Sequence, residues 1–524
     1  MKKKQIITAS FLAGAIAMGI TAAQPAHVFA ATAHYNDSTV TGAGSGWSAW
    51  AAAWDKTAAD YTKVSITPGA DETKLNFAWY SRQDRNPTPV VLFGTSKNNL
   101  KVFKGTAGTV DSSLTGGVKY QYNHVTVSGL KENMSYVYSV RNDGKDSEVR
   151  SYKTGSFENV NILYVGDPQI GASRGQTAAS GETLVNTDGA ANTAARNDGF
   201  AWSRTLNTAA GLNPDLNFII SAGDQINKTG KPKEEEYASY LSPSILSGLA
   251  EATTIGNHDS LNPDYGYHFY DPNQTGYGKT QAGGDYYYSY GPALFIVLNT
   301  NNYNAAEHEK TLQQAVASDP GAKWRIVTIH QDIYGSGLDH SDTDGMILRT
   351  QLTPLFDKYD VDAVLQGHDH TYSRSKLLYG DQQAHSNYEF RLAADGSDYD
   401  WDHAFNKDTS EAIPLYPEDS DAAGKTALQK FSDDNRCYTI ENAGSSSVTD
   451  PKGVLYMTAN SASGSKFYEL ISTQQDYIAK RSQNWLPSYS VINLTGSTFT
   501  INTYEITDNG VEKIDDAFTI TKTK

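Results

Sequence analysis

The chain reads as an α/β protein with a core of two sheets flanked by helices, a β-sandwich with helical outer layers, preceded by an all-β domain. Three observations predict this. Short apolar, β-rich runs alternate with helix-like stretches through the middle of the chain, and alternation of that kind calls for sheets covered by helices. Before residue 155 such runs follow one another with only polar turns between them, the spacing of a small sandwich. Five runs of the middle region end in Gly-led or His-bearing motifs rich in Asp, Asn and His, at the strand ends where α/β sheets place their sites.

In chain order, residues 1–30 read as a signal peptide: Lys2, Lys3 and Lys4, a moderately apolar stretch, and Val28-Phe29-Ala30 before the cut. The weak, Ala-rich centre and small-residue end weigh against an uncleaved anchor, and no other stretch is long and apolar enough to span a bilayer. Export and no stable membrane insertion are therefore expected. The single cysteine, Cys437, excludes an intramolecular disulfide and a thiolate metal cluster; disulfides are usual in eukaryotic secreted proteins, so a bacterial secreted, extracellular protein is the better reading. The formal charge is −16, and loss of the three leader lysines takes it to −19, which disfavours nucleic acid as a partner.

The all-β region is placed at residues 35–155, with strand runs at 63–67, 74–80, 90–94, 119–127 and 135–141 after a Trp- and Ala-rich stretch at 47–54. A catalytic domain follows at 158–475. Its strand runs fall at 161–165, 216–220, 252–255, 294–298, 325–329 and 363–365, and its helical stretches at 200–210, 234–249, 307–317 and 346–359. Pro243 and Pro354 inside the helical stretches set starts or kinks. Residues from about 379 to 450 are polar and rich in Asp, Ser and Asn, and read as an insertion over the site that sets substrate selectivity. An apolar run and small-residue turn resume at 453–465, and 485–524 forms a β-rich C-terminal extension with an Asn509-Gly510 hairpin signal.

The chemistry is carried by GDPQ (Asp167), GDQIN (Asp224), GNHD (Asn257), VTIHQD (His330) and GHDH (His368 and His370). Two carboxylates, an amide oxygen and three imidazoles suffice for two metals sharing one ligand. Phosphate ester hydrolysis needs this, because an anionic ester repels the hydroxide that attacks it. Two cations lower the pKa of a bound water and neutralise charge on the attacking and leaving oxygens. Singly, each motif has a plainer explanation: Gly-Asp closes turns, Asn tolerates a left-handed backbone, and a histidine after an apolar run is usually a hydrogen-bonded core residue. Clustered in this order at strand ends, they have none. His268, His308, His340, His385 and His403 lack that context and read as surface or structural, with His340 and His403 candidates to line the cleft.

The order GD, GD, GNH, H, GHxH across residues 161–374 resembles the calcineurin-like metallophosphoesterase superfamily, and within it the purple acid phosphatase branch. Residues 124–140 resemble the end of a fibronectin type III domain, which larger purple acid phosphatases carry at this position. The resemblance implies that Asp224 bridges two metal ions (Fe, Zn, Mn or another divalent ion), that Asp167 and His370 complete one, and that Asn257, His330 and His368 complete the other. It implies that His258 contacts phosphate and protonates the leaving oxygen. Asp259 is either the group orienting that imidazole or a turn carboxylate.

Two positions depart from the family. Asn227 stands where the purple branch has its tyrosinate, and Gln169 where other branches have a histidine. Either supplies an amide oxygen or holds a metal-bound water, which suits a divalent ion better than ferric iron, so a colourless protein is expected. The resulting expectation is a secreted phosphatase that hydrolyses small phosphate monoesters by attack of a metal-bound hydroxide. Phosphodiesterase or nucleotidase activity on the same site is the alternative, since one fold serves both. A secreted surface-binding protein with a structural metal site is the reading from outside enzymology.

Overall fold

The computed structural model describes residues 44–83, 88–142, 144–338, 344–381, 385, 387–391, 404–414, 420–442, 446–507 and 509–523. The leader, His340 and His403 lie outside them.

The first part of the chain is two antiparallel sheets. Strands β1 (Ser65–Pro68), β2 (Lys74–Arg82), β5 (Thr106–Thr109) and β6 (Tyr120–Ser128) form one, in the order β1-β2-β6-β5. The other contains β3 (Val90–Gly94), β4 (Leu100–Lys104), β7 (Ser135–Asn142), β8 (Lys145–Asp146) and β9 (Arg150–Lys153). Alternate positions face inward, so Phe77 on β2 meets Phe93 on β3 at 6.4 Å and Tyr138 on β7 at 5.1 Å. One element departs from the all-β reading. Helix α1 (Gly44–Ala58) places Trp47, Trp50 and Trp54 on one face at helical spacing. It packs on the catalytic domain: Trp50 Nε1 donates to the Arg196 carbonyl and Trp54 Nε1 to that of Ala190, both at 2.7 Å.

Two larger sheets follow. The first runs β12-β11-β10-β25-β26-β28-β22, built around parallel β10 (Val160–Val165), β11 (Phe218–Ser221) and β12 (Ala250–Thr253). The second runs β13-β14-β15-β16-β23-β17-β24, with β14 (Ala293–Val297), β15 (Trp324–Thr328), β16 (Ala363–Gln366) and β23 (Leu455–Thr458) parallel. Its flanks are β13 (Tyr286–Tyr290), β17 (Tyr372–Ser375) and β24 (Ile478–Ser482). The central strands are buried along their length, as strands covered on both faces must be. Helix α2 (Thr193–Leu212) covers the first sheet through Trp202 and Leu206, while α5 (Ala305–Ser318) and α6 (Asp344–Lys358) cover the second. Between the sheets Tyr164 is a polar rivet. Its hydroxyl donates to the Gln366 carbonyl and accepts from the Gln366 amide at 2.9 Å.

Three stretches differ from their sequence reading. Residues 234–249 are not one helix: α3 (Glu234–Tyr240) stops before Pro243, which cannot donate its backbone bond and starts a separate 3₁₀ turn at Ser244–Ser247. The polar stretch after Tyr379 is not wholly an insertion. Its β22 (Ser447–Thr449) joins the first sheet beside β28 (Phe518–Thr521), β18 (Leu377–Gly380) pairs β21 (Tyr438–Asn442), and Tyr388, Phe390 and Phe431 pack against Ile347 of α6. The C-terminal strands β25 (Ser488–Leu494), β26 (Thr498–Thr507), β27 (Gly510–Lys513) and β28 are integral to the first sheet, with β25 antiparallel to β10.

The N-terminal sheets dock on α3 and on the short helix α4 (Asp264–His268) with the residues after it. Tyr80 donates to Glu234 at 3.1 Å and stacks on His268 at 4.4 Å, and Asn76 donates to the Tyr270 carbonyl at 2.9 Å. Beneath this junction the interior holds several acids. Asp198, Glu236, Glu251 and Asp271 are buried, and burial pushes each carboxyl up to about 7.

Candidate metal centre

Every motif singled out in the sequence leaves the C-terminal end of a parallel strand: β10 leads to Asp167, β11 to Asp224, β12 to Asn257, β15 to His330 and β16 to His368 and His370. The two sheets bring all six side chains to one edge of the sandwich. Asp224, His330 and His368 form one group and Asp167, Asp224 and His370 another, the ligand atoms within each lying inside 4.8 Å of one another. Asp224 belongs to both. Asn257 joins the first group, its Oδ1 3.0 Å from His330 Nε2, and His368 Nδ1 lies 3.1 Å from the same nitrogen.

Tight turns make this convergence possible. Asp167, Gln169, Asp224, His368 and His370 all have positive φ, at 44°, 36°, 49°, 70° and 47°. Left-handed backbone is costly for residues with a Cβ, by about 1–3 kcal/mol in strained cases, and it concentrates where function fixes it. The glycines of the motifs are spacers. A Cβ on Gly223 would stand 2.4 Å from His330 Nδ1, and one on Gly256 2.1 Å from Asp224 Oδ1.

The cluster is electrically prepared for cations. Burial pushes the Asp224 carboxyl up, but His330, His258 and His368 outweigh it and hold the group well below the usual range. Burial likewise pulls His330 down, yet Asp224 and Asp167 push it up to about 9. A buried acid and imidazole that each favour the charged form are what a cation site looks like when described by its donors. Outer contacts fix the rings: His330 Nδ1 donates to the Ala222 carbonyl at 2.8 Å and His370 Nδ1 to that of Lys466 at 2.9 Å, leaving each Nε2 turned inward.

His258 sits at the rim, 21% exposed. Its Nδ1 donates to the Asn227 carbonyl and lies 3.0 Å from Thr229 Oγ1, so its Nε2 faces the cluster, 2.8 Å from Gln169 Nε2 and 4.0 Å from Asp224 Oδ2. Burial lowers its pKa from the ordinary imidazole value. Gln169 Nε2 also donates to Asn227 Oδ1 at 3.3 Å, while the buried Gln169 Oε1 has no hydrogen-bond partner among the described residues. An orphaned acceptor beside Asp167 and Asp224 fits a bound cation or its water.

Asp259 does not orient His258. Both ring nitrogens have other partners, and Asp259 Oδ2 accepts instead from the backbone amides of Gly256 at 3.0 Å and Gln225 at 3.3 Å. Burial and the neighbouring Asp224 push its pKa up, and it ties together the loops after β11 and β12. Residues not singled out in the sequence also hold the site. Asn301 donates to the Ile255 carbonyl at 2.8 Å and accepts from Gln331 at 2.9 Å, joining the Asn257 and His330 loops. Ser461 Oγ donates to the Asp167 carbonyl at 3.0 Å and Ser465 Oγ to that of Pro168 at 3.1 Å. Repeated small hydroxyls after an apolar strand were their only trace in the sequence. His268 and His308 pair with buried Glu234 and Asp285 at 2.8 and 2.9 Å and His385 with Asp381 at 2.8 Å, all away from the cluster.

Asp and His donors at the strand ends of a two-sheet sandwich, with one carboxylate common to two groups, are an arrangement that metal-assisted phosphoester hydrolysis calls for. Residues 160–372 match the family model for calcineurin-like phosphoesterase, and residues 61–154 that for the purple acid phosphatase N-terminal domain. The two matched segments make the chain similar to the calcineurin-like phosphoesterases and to purple acid phosphatases among them. An uncharacterized protein of Mycobacterium tuberculosis, represented in two strains, is 22% identical over 343 residues, 59% of this chain and 60% of that one. The chain thus spans about 60% of the length of the curated relatives it matches. A purple acid phosphatase from yellow lupin seeds shares the fold at 14% identity and a TM-score of 0.58, over 88% of this chain and 75% of its own. PhoD aligns at 12% identity over 87% of this chain and 93% of its own, with a TM-score of 0.49. The family implies divalent metal ions, and the Asp and His donors provide a place for them.

Proposed function

We propose that the protein is an exported phosphomonoesterase that uses two divalent metal ions to release inorganic phosphate from small esters. The observation that carries the reading is Asp224, shared between two donor groups. In this reading Asp167 and His370 complete one cation's set, and Asn257, His330 and His368 the other's, with the Gln169 or Asn227 amide nearby. When bound, the ions polarise the phosphoryl group and activate water at the pH of the reaction. The chain's own groups do the rest. His258, its Nδ1 proton committed to the Asn227 carbonyl, offers Nε2 as the atom that carries a proton to the leaving oxygen. Asp259 keeps the Asn257 loop on the Asp224 loop. With Asn227 in place of a tyrosinate the protein is colourless, and a strong visible band in the purified chain would overturn that part of the reading.

The test is metal content together with hydrolysis of p-nitrophenyl phosphate and of its bis ester, on the mature chain and on Asp224→Ala. About two metals per chain and monoester turnover that the substitution abolishes are expected. Preference for the bis ester would make the protein a phosphodiesterase, and neither metal nor turnover would leave a surface-binding protein.

A further inference from the structure

The first turn of α3 holds His258 at two points. Glu236 Oε2 accepts from the backbone amides of Asn227 and Lys228, both at 2.9 Å, and so fixes the peptide whose carbonyl takes the His258 Nδ1 proton. Lys233, the residue just before the helix, is fully buried, and its Nζ donates to the His258 carbonyl at 3.0 Å. A third tie is the His258 amide, which donates to Asp224 Oδ1 at 3.0 Å. His258 lies in a turn, outside helix and strand, so no ladder supplies a partner to its carbonyl, and among the described residues Lys233 is the donor that reaches it.

An ammonium taken out of water is a costly way to close a loop. The carboxylate paired with Lys233, Asp264 Oδ1, is equally buried but 3.8 Å away, beyond hydrogen-bond distance. Glu234, the next residue, turns to Tyr80 at 3.1 Å and His268 at 2.8 Å. The His258 carbonyl is therefore the acceptor at hydrogen-bond distance from the charge, and a bond from an ionised donor is shorter and stronger than a neutral one. Closure of the loop does not require it, because Asp259 already ties Gly256 to Gln225. What the ammonium adds is orientation: with the amide, the carbonyl and Nδ1 all held, the direction of Nε2 is set. A proton donor must stand within hydrogen-bond reach of the atom it serves, and small misplacement lowers the rate steeply.

We propose that Lys233 is a positioning residue that fixes the His258 backbone so that Nε2 meets the leaving oxygen, governing proton delivery rather than metal binding. This rests on the phosphoesterase reading above, with His258 as its proton donor. The experiment measures metal content, and kcat on p-nitrophenyl phosphate and on phenyl phosphate, for wild type, Lys233→Met, His258→Gln and the double variant, all metal-loaded. The nitro group lets p-nitrophenolate depart with little help, whereas phenolate is a far more basic leaving group and needs the proton. In Lys233→Met kcat falls about thirtyfold on phenyl phosphate and about threefold on p-nitrophenyl phosphate, with metal content unchanged. In the His258→Gln background the same substitution changes neither rate by more than about twofold, because the group it serves is gone. Equal falls for both esters, an undiminished loss in the His258→Gln background, lost metal, or no change overturns the proposal and leaves the phosphatase standing. Should Lys233→Met fold poorly, Lys233→Met/Asp264→Asn removes the acid left without its cation and carries the same comparison. If His258→Gln slows both esters equally, His258 is not the donor and the proposal falls with it, while a wild type without hydrolysis sinks the phosphoesterase reading itself.

Discussion

The two halves of the metal cluster are built differently. On one side Asn257, His330 and His368 pack donor against donor, at 3.0 and 3.1 Å around His330 Nε2, and Asn301 braces two of their loops from behind. On the other side Asp167 and His370 are the Asp and His groups that accompany the shared Asp224 among the described residues. Asp167, Gln169 and His370 there have left-handed backbone, and the serine segment holds the Asp167 loop. The contrast teaches that, in the proposed reading, one half offers four protein donors and the other three, leaving room there for an amide or water. A cation bound there keeps more open positions, which suits a place where substrate exchanges.

The comparison is broken most completely by Asp224→Ala, which removes the ligand common to both halves. Metal content by elemental analysis falls from about two per chain to below one, and kcat on p-nitrophenyl phosphate falls by at least ~10³-fold, more than one electrostatic stabiliser typically supplies. Next come His330→Ala and His370→Ala. Each loses about one metal, and kcat drops by roughly 10²–10³-fold; dialysis against a weak chelator empties the Asp167 half first in wild type. Simultaneous loss of both ions would make the halves equivalent. His258→Gln removes a candidate ligand from neither half and costs about 10²-fold in kcat with metal content unchanged. In wild type kcat declines as pH rises through the lowered pKa of His258 and the proton on Nε2 is lost; a pH profile of the variant lacks that limb. The smallest change is Gln169→Ala, with a severalfold weaker affinity at the Asp167 half by metal titration and no change at the other. A larger effect on the His330 half would place Gln169 wrongly.

The cluster was legible because its chemistry is local. Each candidate donor follows a short apolar run, and strand ends converge by topology, so reading the runs picked out side chains that the fold brings together. The role of Asp259 was not legible. Whether a carboxylate orients a ring or accepts backbone amides depends on which loop folds over it, and only the packing of the β11 and β12 loops decides that. Helix α1 carried its signal in the spacing of Trp47, Trp50 and Trp54, masked by the β-rich region that follows.

The acids buried beneath the domain junction have a consequence for the molecule as a whole. Asp198, Glu236, Glu251 and Asp271 hold their protons to about pH 7 in the folded protein, whereas the unfolded chain releases them near pH 4. Between those limits the native state binds more protons than the unfolded one, so stability falls as pH rises, by about 1.4 kcal/mol per pH unit for each proton released. Below pH 4 the difference vanishes. Unfolding near neutrality is therefore a deprotonation, and acidification latches the interior shut; a melting temperature that climbs from pH 7 to pH 5 is the signature of that latch.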